Sequence, residues 1–137
     1  MNEALNKILS PNFERKSAYV ECDNGWSDLI LELHEKLLAI DPNYIILQIK
    51  EKFGYLRYYY STELEDYSEM ENLVSEYTKK SGEICEKCGS TNTIDANLGG
   101  WYKRWCETCV EEFQKENPKL NCATNNVVPV TPIILNL

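Results

Sequence analysis

Two cysteine pairs of the same form, Cys85-Glu86-Lys87-Cys88 and Cys106-Glu107-Thr108-Cys109, lie seventeen residues apart and constrain this chain more than any other feature. The pattern C-x2-C-x17-C-x2-C reads as a structural zinc site. Each pair can set two thiolates on one ion at about 2.3 Å, and four soft sulfur ligands close a tetrahedral shell. The sequence thus predicts a Zn2+ site with Cys85, Cys88, Cys106 and Cys109 as its ligands. Such a shell has no open position for water or substrate, so the expected role is structural rather than catalytic.

The chain of 137 residues fits one modest domain, or a body of about 85 residues with a small metal-stapled appendix. It has no apolar run of the roughly 20 residues that a membrane-spanning helix takes. The start, MNEALNKILSPNFERK, carries early acids and lacks the apolar stretch of a secretory signal. The expected compartment is therefore the cytoplasm, where reducing conditions favour metal over disulfide for paired cysteines. Cys22 and Cys122 have no partner in the pattern and read as ordinary thiols.

The formal charge is −8 and is unevenly spread. Residues 1–83 hold 9 Lys+Arg against 16 Asp+Glu, while residues 84–137 hold 5 against 6. An acidic chain is repelled by phosphates unless its basic groups share a face, which disfavours nucleic acid as a partner.

Along the chain, Glu3–Leu9 reads as a short helix ended by Ser10-Pro11, and residues 17–22 as a short strand. Trp26, Leu29, Ile30, Leu33, Leu37 and Leu38 form one helical stripe, with Asp23, Asn24 or Ser27 as its cap and Asp41-Pro42 as its stop. Residues 44–50 and 55–60 suit two strands of an antiparallel hairpin turning over Glu51-Lys52-Phe53-Gly54. Ile45, Leu47 and Ile49 would share one face, as would Leu56, Tyr58 and Tyr60. A second helix is expected from Thr62-Glu63-Leu64-Glu65, which fits a capping box, to Ser81-Gly82. Leu64, Tyr67, Met70, Val74 and Tyr77 would be its stripe. The fold class is α+β, two helices on a small antiparallel sheet in β-α-β-β-α order, across an acidic body of residues 1–83.

Residues 84–117 make the metal-binding finger. Gly89 suits a tight knuckle after Cys88, Thr91 to Lys103 a hairpin turning near Asn97 to Gly100, and Cys106 to Glu116 a helix whose N-terminus favours thiolates. Knuckle, hairpin and helix in this order resemble the treble-clef class of zinc fingers, a likeness of fold and not of function. Residues 118–137 form an apolar tail, uncharged after Lys119, expected to add an edge strand or to dock on the body or a partner.

Enzymatic readings find little support. Treble-clef nucleases of the His-Asn-His kind need histidines in the finger, and zinc deaminases need His-x-Glu ahead of their cysteines. The only histidine, His34, falls between core positions of a helix, where packing is the better reading. No nucleophile elbow, phosphate loop or dinucleotide fingerprint occurs.

Two binding readings remain. Glu63, Glu65, Asp66 and Glu69, continued by Glu71 and Glu76, make an acidic run with no Lys or Arg between, suited to a basic partner or to a merely solvated face. Trp101-Tyr102-Lys103-Arg104-Trp105 interleaves aromatic and basic residues beside the metal ligands. In that stretch Trp101 and Trp105 share strand parity and are expected to pack the finger, leaving Lys103 and Arg104 exposed. Residues 52–58 partly match the RNP1 pattern of RNA-recognition domains, but Glu51-Lys52 stands where Lys/Arg-Gly is wanted and Gly54 looks like a turn.

Gly25-Trp26 with Leu29-Ile30, then Ile49-Lys50-Glu51-Lys52-Phe53-Gly54-Tyr55-Leu56-Arg57-Tyr58-Tyr59, Cys-Glu-x-Cys-Gly, Gly-Trp and the final CxxC together resemble a set of small uncharacterised proteins of phages and prophages. The likeness covers roughly residues 21 to 112. It implies an accessory protein with a zinc ribbon or treble clef, and it implies no activity. The combined expectation is a cytoplasmic, non-enzymatic interaction protein that binds a host protein complex through its acidic surface, with inhibition of that complex as one version of the reading. The alternative is a nucleic-acid-binding finger using Lys103, Arg104 and Trp101.

Overall fold

The computed structural model describes residues 2–124. Among them, four helices and two small antiparallel sheets form an α+β fold. Asn2 opens helix α1 (Glu3–Leu9) by accepting a 3.0 Å hydrogen bond from the Leu5 N–H, and a 3-10 turn containing Pro11 follows it. The strand expected at residues 17–22 is absent. The segment from Phe13 to Glu21 meets the sheet at two single parallel bridges, Phe13 to Ile46 and Glu21 to Lys50, which cover one edge of the hairpin without a ladder.

Helix α2 (Ser27–Ile40) buries the predicted stripe of Leu29, Ile30, Leu33 and Leu37. Its start carries no side-chain cap, so Asp23, Asn24 and Ser27 do not act as one; Asp41 ends it as expected. Trp26 lies just ahead in a 3-10 turn, fully buried, and its Nε1 donates to the Ile84 carbonyl at 2.8 Å.

Strands β1 (Ile45–Lys52) and β2 (Tyr55–Ser61) form the predicted hairpin, joined by Phe53-Gly54 alone. Both turn residues have positive φ, 55° and 88°, as a two-residue primed turn demands. The expected face of Ile45, Leu47 and Ile49 is not formed. Register shifts between Ile46 and Gln48, so Leu47 is an extra residue facing solvent, while Ile46 and Ile49 both point into the core. On β2, Leu56 and Tyr58 are buried and Tyr60 is packed against the core, as predicted.

Helix α3 (Ser68–Ser81) has Tyr67 as its N-cap, five residues later than the Thr62 that the capping box suggested. The Thr62 hydroxyl donates to Asp41 Oδ2 at 2.5 Å and accepts from the Leu64 N–H at 3.2 Å, which spends it on a turn. Asp66 instead accepts from the Ser68 N–H and Oγ at the true helix start. Leu64 and Tyr67 are consequently exposed, whereas Met70 and Tyr77 are buried. At the other end Ser81 Oγ accepts from the Leu56 N–H at 2.9 Å, occupying the outer edge of β2.

The core gathers α1, α2, β1, β2 and α3 around Trp26, Leu33, Leu37, Ile46, Leu56 and Met70. Through its middle runs a polar chain: His34 Nδ1 lies 2.6 Å from the Tyr44 hydroxyl, which lies 2.6 Å from that of Tyr58. Burial holds the His34 imidazole below its ordinary pKa and both phenols above theirs. His34 is thus a satisfied core residue.

The second sheet has the order β4-β3-β5, from β3 (Thr93–Leu98), β4 (Tyr102–Cys106) and β5 (Cys122–Thr124). Helix α4 (Glu107–Glu116) packs on it through Val110 and Phe113, the latter edge-on to Trp105 at 5.8 Å between centroids. Strand β5 comes from beyond residue 117, so the second sheet reaches past the expected finger boundary. The apolar stretch expected to form an edge strand or dock, VVPVTPIILNL, lies outside the described residues.

Candidate metal centre

The knuckle after α3 brings the first pair of cysteines together. The Gly89 N–H donates to the Cys85 carbonyl at 2.8 Å and the Cys85 N–H to the Ser90 carbonyl at 2.7 Å, closing a loop that Gly89 completes at φ +86°. The second pair is set by a strand-to-helix junction: Cys106 ends β4 and is the N-cap of α4, and Cys109 lies in the first turn. The four Sγ atoms all fall within 4.8 Å of one another, and those of Cys88 and Cys106 are 3.6 Å apart. Every predicted ligand is therefore in one cluster.

Its electrostatics suit a cation. Burial pushes the Cys85 thiol up, opposed by the backbone N–H groups of Cys106, Cys88 and Lys87. The Ser90 N–H holds the Cys88 thiol below its ordinary value. Cys109 is pushed up by burial and by the other sulfurs crowding it. Amides aimed at sulfur favour thiolates, and a divalent ion relieves the repulsion among four of them. This donor set can hold a metal ion.

A residue that sequence reasoning missed ties the centre to the rest of the molecule. Glu86, between the first two ligands, is only 3 % exposed. Its carboxylate accepts from the Asp23 N–H at 3.1 Å, from Trp105 Nε1 at 3.3 Å and from Lys103 Nζ at 3.4 Å, while its carbonyl accepts from the Gly25 N–H at 2.6 Å. Gly25 has no room for a side chain, because an added Cβ would overlap the carbonyl oxygens of Cys85 and Glu86. The Gly25-Trp26 pair was legible as a motif, but its partner, 61 residues on at Glu86, was not.

Lys103 and Arg104 do not face solvent as expected. The Lys103 side chain is 10 % exposed, and its Nζ lies 2.7 Å from Glu51 Oε1 on the hairpin. Arg104 pairs with Asp95, donates through Nε to the Gly82 carbonyl at 2.7 Å and lies over the Tyr55 ring. Trp101 and Trp105 also part company: Trp105 is buried, while Trp101 follows the Gly99-Gly100 turn and is 60 % exposed. The structure thus engages both basic residues of that candidate surface internally and leaves Trp101 outside.

Glu63, Glu65, Asp66 and Glu69 are all exposed. They do not share a helix: the first three lie on the irregular stretch before α3, and Glu69 is in its first turn, where a negative charge complements the helix dipole. Farther on, Glu71 accepts from the Tyr60 hydroxyl at 2.6 Å and Glu76 pairs with Lys80. Cys22 is buried and Cys122 half-buried, both as free thiols.

Against protein-family models, curated proteins and solved structures, the chain gives no match. Among the described residues, no helix is long and apolar enough to cross a membrane.

Proposed function

We propose that this chain is a zinc-fastened, non-enzymatic interaction protein that engages a host-cell protein through its acidic surface. The observation that carries the reading is the convergence of four cysteine sulfurs within 4.8 Å. Around zinc, sulfurs at about 2.3 Å sit about 3.8 Å apart at the corners of a tetrahedron, close to the 3.6 Å between Cys88 and Cys106. Four thiolate ligands leave zinc no position for a substrate, which supports a fastener over a catalyst. Knuckle, β3–β4 hairpin and a CxxC at the start of α4 follow the treble-clef arrangement.

Glu63, Glu65, Asp66 and Glu69 form an exposed acidic stretch without an intervening base, and Lys103 and Arg104 are consumed internally. That balance favours a basic protein surface as partner over a nucleic-acid contact made by the finger. The resemblance to phage and prophage accessory proteins points to a protein of the host cytoplasm. The test is capture of a basic protein from host lysate by the zinc-loaded chain. Replacing Glu63, Glu65 and Glu69 with Ser, and Asp66 with Asn, which keeps the oxygen that accepts from Ser68, is expected to abolish capture while zinc content and helicity stay unchanged. Undiminished capture by that variant refutes the acidic-surface assignment.

A further inference from the structure

We propose that the outward face of the β1–β2 hairpin binds single-stranded nucleic acid, with Lys50, Lys52 and Arg57 on its phosphates and Tyr59 and Phe53 stacking on its bases. The side-chain alternation sets this face. Ile46, Ile49, Leu56 and Tyr58 turn inward, which leaves Lys50 opposite Arg57, Lys52 opposite Tyr55 and Gln48 opposite Tyr59 on the other side. Like charges directly opposite oppose strand pairing, so the Lys50–Arg57 pair is costly unless an anion lies across it.

Among the described residues, no ion pair neutralises these bases. The ion pairs among the described residues use Lys80, Lys103 and Arg104, and none uses Lys50, Lys52 or Arg57. Arg57 Nε is buried without a hydrogen-bond partner. Lys50 and Lys52 rest only on aromatic rings, their Nζ atoms 5.9 Å from the Tyr59 centroid and 5.6 Å from that of Phe53. Both rings are exposed, Tyr59 by 44 % and Phe53 by 62 %. Phe53 also holds φ +55°, a backbone region that bulky side chains rarely occupy and that often marks a functional constraint.

The chemistry of the occupant follows from this pattern. Cations beside exposed aromatic rings on a strand pair match a charged backbone carrying planar rings. An acidic polypeptide supplies the charge without the rings, and a duplex keeps its rings stacked out of reach. The net charge of −8 does not forbid contact. The acidic stretch begins beyond Ser61, about 13 Å along the strand from Arg57, which exceeds the roughly 8 Å screening length at physiological salt. Of the acids beside this face, Glu51 is taken by Lys103 at 2.7 Å, Glu21 accepts from Gln48 Nε2 at 3.3 Å, and Glu14 lines the same cavity as Gln48 and Tyr59.

The test is fluorescence anisotropy of labelled oligo-dT and oligo-U of about 12 nucleotides, with a duplex of equal length, against the zinc-loaded full chain. Three phosphate contacts predict micromolar binding that weakens about 20-fold between roughly 50 and 200 mM salt. The duplex is expected to bind at least about tenfold more weakly, since its bases offer no stacking. Lys50→Gln with Lys52→Gln should cut the salt slope to about a third, because two of three phosphate contacts go. Tyr59→Ala should weaken binding about tenfold at an unchanged slope. Lys79→Gln, on the exposed side of α3, should change nothing. Zinc content and circular dichroism establish that each variant is folded. Absence of binding at about 100 µM protein, the weak limit of non-specific affinity, overturns the proposal. So does binding indifferent to the lysine variant, equal binding of the duplex, or displacement by polyglutamate as effective as by unlabelled oligonucleotide.

Discussion

Lys103, on the strand leading into the second cysteine pair, places its Nζ 2.7 Å from Glu51 Oε1 on the hairpin of the first sheet, and the two side chains are only 10 % and 13 % exposed. Glu86 completes the group from the knuckle, at 3.4 Å. The two sheets are therefore joined through a nearly dry cluster of charges. Removing the lone cation leaves two carboxylates with no counter-charge in a medium where that is expensive. Lys103→Met, which keeps the packing of the stem, is expected to lose about 3 kcal/mol of stability. That loss corresponds to a fall of about 10 °C in melting temperature. The double variant Lys103→Met with Glu51→Gln should recover part of it. A single variant within about 0.5 kcal/mol of wild type, the range of ordinary surface substitutions, contradicts a coupling role for this cluster.

Gly25 governs how closely the knuckle approaches the turn ahead of α2. Gly25→Ala pushes a methyl group into the carbonyls of Cys85 and Glu86, so the knuckle must move and the sulfur positions with it. The expected result is at least about tenfold weaker zinc binding in competition with a chromophoric chelator, the scale of loss when groups around metal ligands are disturbed. Unaltered affinity would show that the sulfurs are positioned without this contact.

His34 gives the fold a pH dependence whose sign can be worked out. Burial lowers its pKa below the ordinary 6.5. Between 6.5 and the lower folded value, the unfolded chain binds the proton and the folded chain does not. Stability therefore rises with pH across that window, and the contribution is full above 6.5 and lost as pH falls through the folded value. The slope reaches at most about 1.4 kcal/mol per pH unit. Urea unfolding of wild type and His34→Gln from neutral to mildly acidic pH isolates this contribution from that of the thiolates. The stability difference between the two should shrink on acidification, and parallel curves would falsify it.

Phe53 occupies the first turn position, where Asn is the usual residue. Phe53→Asn is expected to stabilise the hairpin by about 0.5–1 kcal/mol in urea unfolding, by relieving the left-handed strain. The same change should weaken the oligonucleotide contact. A variant that is both less stable and unaltered in binding contradicts the strained-for-function reading of this turn.

What the sequence disclosed is what depends on neighbours along the chain. The stripe of α2 follows from helical spacing, and the Phe53-Gly54 turn lay within the predicted connection. The four sulfurs were legible because two short, identical motifs need no long-range knowledge to be matched. Where the reading failed, a distant or competing partner decided. Leu47 broke the alternation because a bulge adds one residue without leaving a compositional mark. Thr62 fitted a capping box, yet its hydroxyl is taken by Asp41 from the end of α2. Lys103 and Arg104 looked exposed because their partners, Glu51 and Gly82, come from other elements. Glu86 was invisible for the same reason, since an acid beside a metal ligand is ordinarily solvated.

Four sulfurs within 4.8 Å of one another can hold a metal ion, and in the proposed function that ion is zinc and fastens residues 85–109. X-ray absorption at the zinc edge on the purified chain tests it most directly. The expected result is one zinc per chain with four sulfur scatterers at about 2.3 Å and no light-atom scatterer in the first shell. A nitrogen or oxygen in that shell, three sulfurs or fewer, or a folded chain that retains no zinc contradicts it.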